Sequence, residues 1–339
     1  MPELRAVSPV AVSLALAFPA GARADEVWVP PEGGFVSNEI AAEDGRLVYL
    51  GSLGPGPLGL IEGFGAEARP LPATKEAENA AIRGLDLGTD GRGRPVAVYG
   101  FYPGGRPSRL YRYDFTAGRA RVMVASREDC GVSNPHMERG VLYFAREGRR
   151  SRPGCRPGIY AKRPGKPLRR LTTRAYFDFD VSGRVVAFIR SRVVERGDLS
   201  EGIPSFGFHE VRVLPFGQRR ADLVATAGYR SNPRYEDYGG TEFHSVSLDD
   251  GHLYWRRYND DTGESDLLRA PADEATPPIS TLSAAGRVLP YPRASAFPAN
   301  GYAVDGDQIY YGSVEYDPST GSTRGSALAR VTPAPPVFE

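Results

Sequence analysis

Ser182-Gly183-Arg184-Val185-Val186-Ala187-Phe188-Ile189 is the stretch that decides the fold. A turn residue and a glycine lead into five apolar residues that do not alternate with polar ones. A strand with one wet face alternates, so a continuous apolar run of this length reads as a strand covered on both faces. The glycine-led turn before it is a hairpin signal.

The same pattern recurs along the chain. Asp44-Gly45 precedes Leu47-Val48-Tyr49-Leu50, and Gly91 or Gly93 precedes Val96-Ala97-Val98-Tyr99. Gly140 precedes Val141-Leu142-Tyr143-Phe144, Asp250-Gly251 precedes Leu253-Tyr254-Trp255, and Asp305-Gly306 precedes Ile309-Tyr310-Tyr311. The spacing is about 45 to 70 residues, in the range of propeller blades with insertions. Weaker strands follow, as in Ile159–Lys162, His209–Val213, Asp266–Arg269 and Ala327–Arg330. Outer strands follow these, as in Leu168–Thr172 and Asp222–Thr226. Helix signals are nearly absent; Thr74–Ile82 has room for two helical turns but no apolar stripe. The sequence therefore predicts an all-β β-propeller of six blades, each a four-stranded antiparallel sheet. The last unit lacks an outer strand, which Glu26-Val27-Trp28-Val29 would supply, closing the ring.

Composition agrees. Among 339 residues, Gly 40 and Pro 30 punctuate the whole chain, and a hydrophobic content of 41% suffices for a large core. A formal net charge of +1 gives no field that would draw the molecule to nucleic acid or anionic membrane. At the start, Arg5, the apolar Val10–Phe18 and Ala22-Arg23-Ala24 have the order of a secretory signal. The expected organisation is a signal peptide over residues 1–24, then a single propeller domain over 25–339. The expected location is secreted or periplasmic, without membrane insertion, and the expected state is a monomer. Cys130 and Cys155 are the only cysteines, and in an oxidising compartment they pair as a disulfide. The strand order places them in loops on one face of the propeller, Cys130 between two blades and Cys155 inside the next.

Two stretches resemble the TolB-like propeller family. Phe179-Asp180-Val181-Ser182-Gly183-Arg184-Val185-Val186-Ala187-Phe188 is similar to its strand signature, with Ser182 where the family carries an acidic residue. Ile159-Tyr160 followed by Leu168-Arg169-Arg170-Leu171-Thr172 is similar to its blade ending. The resemblance implies the propeller fold and an exported location.

Two insertions, Val194–Phe208 and Gly228–Phe243, fall on the face that carries the cysteines. Loops on a rigid scaffold carry function, and the second is rich in tyrosine, arginine and carboxylates, the types that dominate binding surfaces. The candidate binding residues are Arg230, Arg234, Tyr235, Asp237, Tyr238, Glu242 and His244, facing a protein, peptide or glycan partner. An ordinary solvated loop is the alternative reading of the same segment. No catalytic residue, metal ligand or cofactor is assigned. The sequence holds no G-x-S-x-G elbow and no phosphate loop, and His136, His209, His244 and His252 lack zinc-site spacing. Asn259–Asp266 reads as a polar hairpin loop without the spacing of a calcium loop. Two enzyme alternatives stand beside the binding reading. One is a carbohydrate-active hydrolase or lyase using carboxylates such as Glu236, Asp237 or Glu242 with His244. The other is a metal-assisted, lactonase-like propeller.

Overall fold

The structure is a computed structural model. It describes residues 22–72, 81–102, 108–126, 130–148, 155–174, 176, 178–198, 203–232, 237–262, 264–273, 279–283, 301–316, 323–333 and 337–338. Apart from one 3-10 turn, Gly65–Glu67, these residues form strands and connections. Of Thr74–Ile82, read from sequence as having room for two helical turns, residues 74–80 lie outside the described residues, and Ala81 and Ile82 open the strand Ala81–Thr89.

The strands form antiparallel ladders in chain order. The first is β2 (Phe35–Glu43), β3 (Arg46–Ser52), β4 (Gly59–Glu62) and β5 (Arg69–Pro70). The second is β6 (Ala81–Thr89), β7 (Pro95–Tyr102), β8 (Arg109–Asp114) and β9 (Arg119–Ala125). The third is β10 (Val132–Glu138), β11 (Val141–Arg146), β12 (Gly158–Lys162) and β13 (Arg169–Arg170). Next come β14 (Phe179–Ser182), β15 (Val185–Glu195), β16 (Ser205–Pro215) and β17 (Asp222–Asn232). These run on into β18 (Asp237–Asp249), β19 (His252–Asn259), β20 (Glu264–Pro271) and β21 (Ser280–Ser283), with β25 (Val337–Phe338) at the edge. The last ladder is β22 (Tyr302–Asp305), β23 (Gln308–Tyr316), β24 (Thr323–Pro333) and, from the other end of the chain, β1 (Ala22–Trp28).

The leading strands β2, β6, β10, β14, β18 and β22 touch in that order, and β22 returns to β2. Sheets arranged radially around a closed ring of innermost strands make a propeller. β1 pairs with β24, Val27 opposite Ala329 and Trp28 opposite Leu328, so the first and last described strands of the body share a sheet. The closing strand anticipated at Glu26–Val29 is therefore real, and it begins earlier, at Ala22.

The expected four-stranded antiparallel sheets are present. Among the described residues four of them stand apart, and the sets β14–β17 and β18–β21 are joined into one nine-stranded sheet, with β25 at its edge, because β17 pairs with β18 through Tyr229↔Gly240 to Asn232↔Asp237.

The unbroken apolar runs serve two interfaces at once. Val48 and Leu50 of β3 pack against Leu85, Leu87 and Tyr99, whereas Leu47 and Tyr49 of the same strand pack against Tyr310 and Leu328. Alternate residues of a strand point to opposite faces, so a sheet covered on both sides needs apolar residues at both parities. Asp44-Gly45, Arg139-Gly140 and Asp250-Gly251 all have positive φ, the type I′ geometry that a tight hairpin selects.

Carboxylates staple each ladder to the next around the ring. Gly84 N–H donates to Glu39 at 2.9 Å, Met137 N–H to Asp86 at 2.8 Å, and Gly183 N–H to Glu138 at 2.6 Å. Leu248 N–H donates to Asp180 at 2.6 Å, Gly306 N–H to Asp249 at 2.9 Å, and Gly45 N–H to Asp305 at 2.6 Å. The last contact joins the final ladder to the first. Cys130 and Cys155 form the disulfide expected of them, with Cα atoms 5.6 Å apart. Cys130 precedes β10 and Cys155 precedes β12, the connections assigned from sequence.

Candidate functional site

Of the two insertions read as loops, Gly228–Phe243 is largely strand where it is described, and Val194–Phe208 is strand at its two ends. β15 and β16 continue their ladder out to Glu195↔Phe206, and β16 and β17 out to Ser205↔Ser231. β18 and β19 pair from Asp249↔His252 as far as Thr241↔Asn259. The result is a continuous sheet that overhangs one end of the channel, the end where the innermost strands begin. The turn-rich composition concealed this, because the pairing is long-range.

Of the candidate residues, Arg234 and Tyr235 lie outside the described residues, as does Glu236 of the alternative set. Asp237 and Tyr238 open β18 opposite Asn232 and Ser231, and only their backbone is described. Arg230, Glu242 and His244 are in place but not together. Tyr229 and Gly240 are paired, so Tyr229, Glu242 and His244 share one face, while Arg230, opposite Phe206 and Gly239, is on the other. Glycines make both arrangements possible. A Cβ at Gly207 would meet the Tyr229 hydroxyl at 2.8 Å, and one at Gly239 would meet the Arg230 guanidinium at 2.6 Å. The expected single cluster is thus split by strand parity. Arg230 instead pairs with Asp261 at 3.4 Å.

The first face gathers Tyr229, His209, Glu242 and His244. His244 Nε2 lies 3.1 Å from Glu242, and the His209 ring is 4.5 Å from Tyr229 and 6.2 Å from His244. Phe243 N–H donates to His209 Nδ1 at 3.2 Å. The His244 contact holds the Glu242 carboxyl below the usual range, against the effect of burial. Burial pushes the His209 imidazole down, which keeps it neutral. Asp260 N–H donates to the Gly240 carbonyl at 3.0 Å, which sets Asp260 diagonally from Glu242 on this face, roughly 7–8 Å across the backbone. Burial and the Glu242 charge push the Asp260 carboxyl up, and its buried Oδ2 has no hydrogen-bond partner among the described residues. Deeper in, burial raises Asp178 despite the charges of His244 and Arg256, and lowers Arg256 to about 10. The Tyr302 hydroxyl donates to Ser245 O at 2.5 Å.

The second face is apolar and open. Phe206 is 45% exposed, Phe208 is 42%, and nearby Val194 and Ile203 are 57% and 47%. Phe208 lies opposite Gly228, which lines a groove of about 730 Å³ together with Val224, Thr241, Phe243, Leu268 and Ile279.

A third constellation centres on His136, of which the sequence says only that it lacks zinc-site spacing. His136 on β10 is sandwiched between Asp180 on β14, at 3.0 Å, and Asp86 on β6, at 3.8 Å, and its ring meets Phe179 edge-on at 4.8 Å. Burial alone would lower its pKa, but Asp180 and Asp86 outweigh this and hold it up to about 10. Asp180 in turn is held low by the imidazolium. The cation ties three leading strands together. Nothing in local sequence announces it, since its partners are 50 and 44 residues away (136 − 86 and 180 − 136). Among the described residues, no group of three or more His, Cys, Asp or Glu side chains is placed to hold a metal ion, the constellation a lactonase-like site would need. Nor is any helix there long and apolar enough to cross a membrane.

No protein-family model and no curated protein matches the chain. Solved structures do. The chain is similar to TolB from Acinetobacter baumannii, at 10% identity and a TM-score of 0.42, over 86% of this chain and 64% of that one. The resemblance to TolB-like propellers holds at the level of fold. The β-propeller domain of the Trilobed protease from Pyrococcus furiosus is similar at 9% identity and a TM-score of 0.45, over 86% of this chain and 97% of that domain. A puromycin-hydrolyzing peptidase from Mycobacterium tuberculosis is similar at 13% identity and a TM-score of 0.47, over 86% of this chain and 52% of the peptidase. The chain thus spans about half the length of that enzyme. Each of these is a likeness of architecture, and the chemistry of this chain is argued from its own residues.

Proposed function

We propose that the chain is an exported binding propeller, and that the sheet overhanging the channel receives a protein or peptide partner. The observation that carries this reading is the exposed apolar shelf of Phe206 and Phe208, continuous through Gly228 with the 730 Å³ groove. Contiguous apolar surface rimmed by polar groups marks interaction sites, and Arg230 and Arg257 supply the rim. The disulfide and the order of residues 1–24 support export. A phage-displayed peptide library panned on the immobilised protein tests the shelf. Selected peptides should lose at least tenfold in affinity for the Phe206→Ser, Phe208→Ser double variant. Unchanged binding would remove the shelf from the account.

A specific observation favours a second reading, glycan hydrolysis or lysis. Glu242 is held ionised while Asp260 is pushed toward its neutral form, and carboxylates driven apart in this way mark acid and base roles. Release of reducing ends from a polysaccharide panel, abolished by both Glu242→Gln and Asp260→Asn, would establish it. A panel without turnover would dismiss it.

A further inference from the structure

We infer that the partner is an extended acidic peptide that adds as a strand to the free edge of β15. This deepens the binding reading above and rests on it.

β15 is eleven residues long but its inner neighbour β14 is only four. The two pair from Ser182↔Val185 to Phe179↔Phe188, and among the described residues the last bond on that side is Ile189 N–H to Asp178 O at 3.0 Å. On its other side β15 stays paired with β16 as far as Glu195. Backbone groups alternate in direction along a strand, so the N–H and C=O of Ser191 and Val193 face the same way as those of Ile189. Among the described residues no strand pairs with them. An edge of this kind is a template for another strand, and here it lies beside the channel mouth, in line with β14.

The side chains along the edge select the occupant. Arg190 and Arg192 point to one face of β15, paired opposite Glu210 and Phe208. Arg190 is 3.9 Å from Glu210, whereas Arg192, like Arg174 and Arg196 nearby in sequence, is exposed. Tyr176, stacked on Phe188 at 4.1 Å, feels the charges of both Arg190 and Arg174, which places Arg174 at the same edge. The opposite face of β15 offers Ser191 and Val193, the latter 49% exposed. A strand lying antiparallel or parallel here would therefore set one parity against arginine and the other against valine. Cross-strand pairs of opposite charge stabilise a sheet, and apolar residues beside a β-branched side chain do the same. Acidic residues alternating with apolar ones are the matching pattern. The exposed arginines also keep two copies of this edge from pairing with each other.

The test uses the full chain and a fluorescein-labelled octapeptide of alternating Glu and Val, read by anisotropy. Two counterparts accompany it, one with Lys replacing Glu and one N-methylated at alternate amides. The Glu-Val peptide should bind at least tenfold more tightly than either. Ser191→Pro should abolish binding, since it removes an outward-facing N–H and breaks no ladder bond. Arg192→Glu should weaken it tenfold without altering the backbone. Equal binding of the Lys peptide, full binding to Ser191→Pro, or failure of the Glu-Val peptide to bind would overturn the inference. Its failure is separable from that of the binding reading. Library peptides lost on Phe206→Ser, Phe208→Ser but retained by Ser191→Pro keep the shelf and dismiss the edge.

Discussion

Replacing His136 by glutamine should destabilise the protein by an amount that depends on pH in a way packing alone cannot reproduce. The imidazolium lies 3.0 Å from Asp180 and 3.8 Å from Asp86, all three well inside the channel. Glutamine keeps some volume and removes the charge, leaving two carboxylates facing each other. Breaking a buried ion pair by removing one partner costs about 3–5 kcal/mol. The rise in the His136 pKa from 6.5 to about 10 gives a similar figure, roughly 5 kcal/mol, part of which the raised Asp86 takes back. Because the folded pKa lies above the unfolded one, this stabilisation is complete below pH 6.5 and is lost as pH rises through about 10. Urea unfolding of both proteins at pH 5, 7 and 10.5 measures it. At pH 7 a loss of about 4 kcal/mol with an m-value of about 3 kcal/mol/M moves the midpoint down by about 1.3 M. At pH 10.5 wild-type His136 is largely neutral and the two midpoints converge. At pH 5 the gap also narrows, as Asp86, already raised by burial, takes up a proton in the variant. A gap under 1 kcal/mol at pH 7, or one constant from pH 5 to 10.5, would refute the reasoning.

Three further outcomes follow from the same structure. Cys130→Ser should cost about 3 kcal/mol by the loop-entropy argument for a separation of 25 residues, and the unreduced wild type should show no free thiol in guanidinium. Arg112 lies 2.9 Å from Asp90 and 3.2 Å from Asp114, and Arg112→Ala should cost about 2 kcal/mol by urea unfolding at pH 7. Arg94 and Arg112 hold Asp90 below its usual range despite burial, so this stabilisation is present above pH 3.8 and is lost as pH falls below it. The gap between Arg112→Ala and wild type should therefore shrink in acid. Phe206→Ser and Phe208→Ser should each change stability by less than about 0.5 kcal/mol, since both rings are exposed, and a larger loss would mean that they belong to the core.

The parts of the fold legible in sequence were those written in local pattern. Val185–Ile189 and its counterparts announce strands covered on both faces, and Asp44-Gly45 or Asp250-Gly251 announce their turns. The closing strand at Trp28 followed from strand counting, and the Cys130–Cys155 pair from their being the only two cysteines, with strand alternation placing both at one end. What stayed hidden depends on residues far apart. Gly228–Phe243 has the glycines and charges of a loop, yet Gly239 within it, and Gly207 on the neighbouring strand, let Arg230 and Tyr229 lie flat across a sheet. The same parity that makes the sheet divides Arg230 from Glu242 and His244, so the candidate cluster could not have been assembled from composition. Asp260 was visible only as one residue of a polar run, and its pairing with Gly240 is what brings it beside Glu242. Asp305, read as the turn residue before Gly306, and Asp249, one residue ahead of the Asp250-Gly251 turn, also staple successive ladders.

Placing a photoreactive benzoyl-phenylalanine at Phe208 on the overhanging sheet, and separately at Arg184 in the turn at the opposite end of β14, tests the binding account most directly. After irradiation in the native exported fraction and identification by mass spectrometry, the account predicts one discrete protein or peptide adduct from position 208 and none of it from position 184. Adducts of equal yield from both positions, or none from 208, would contradict it.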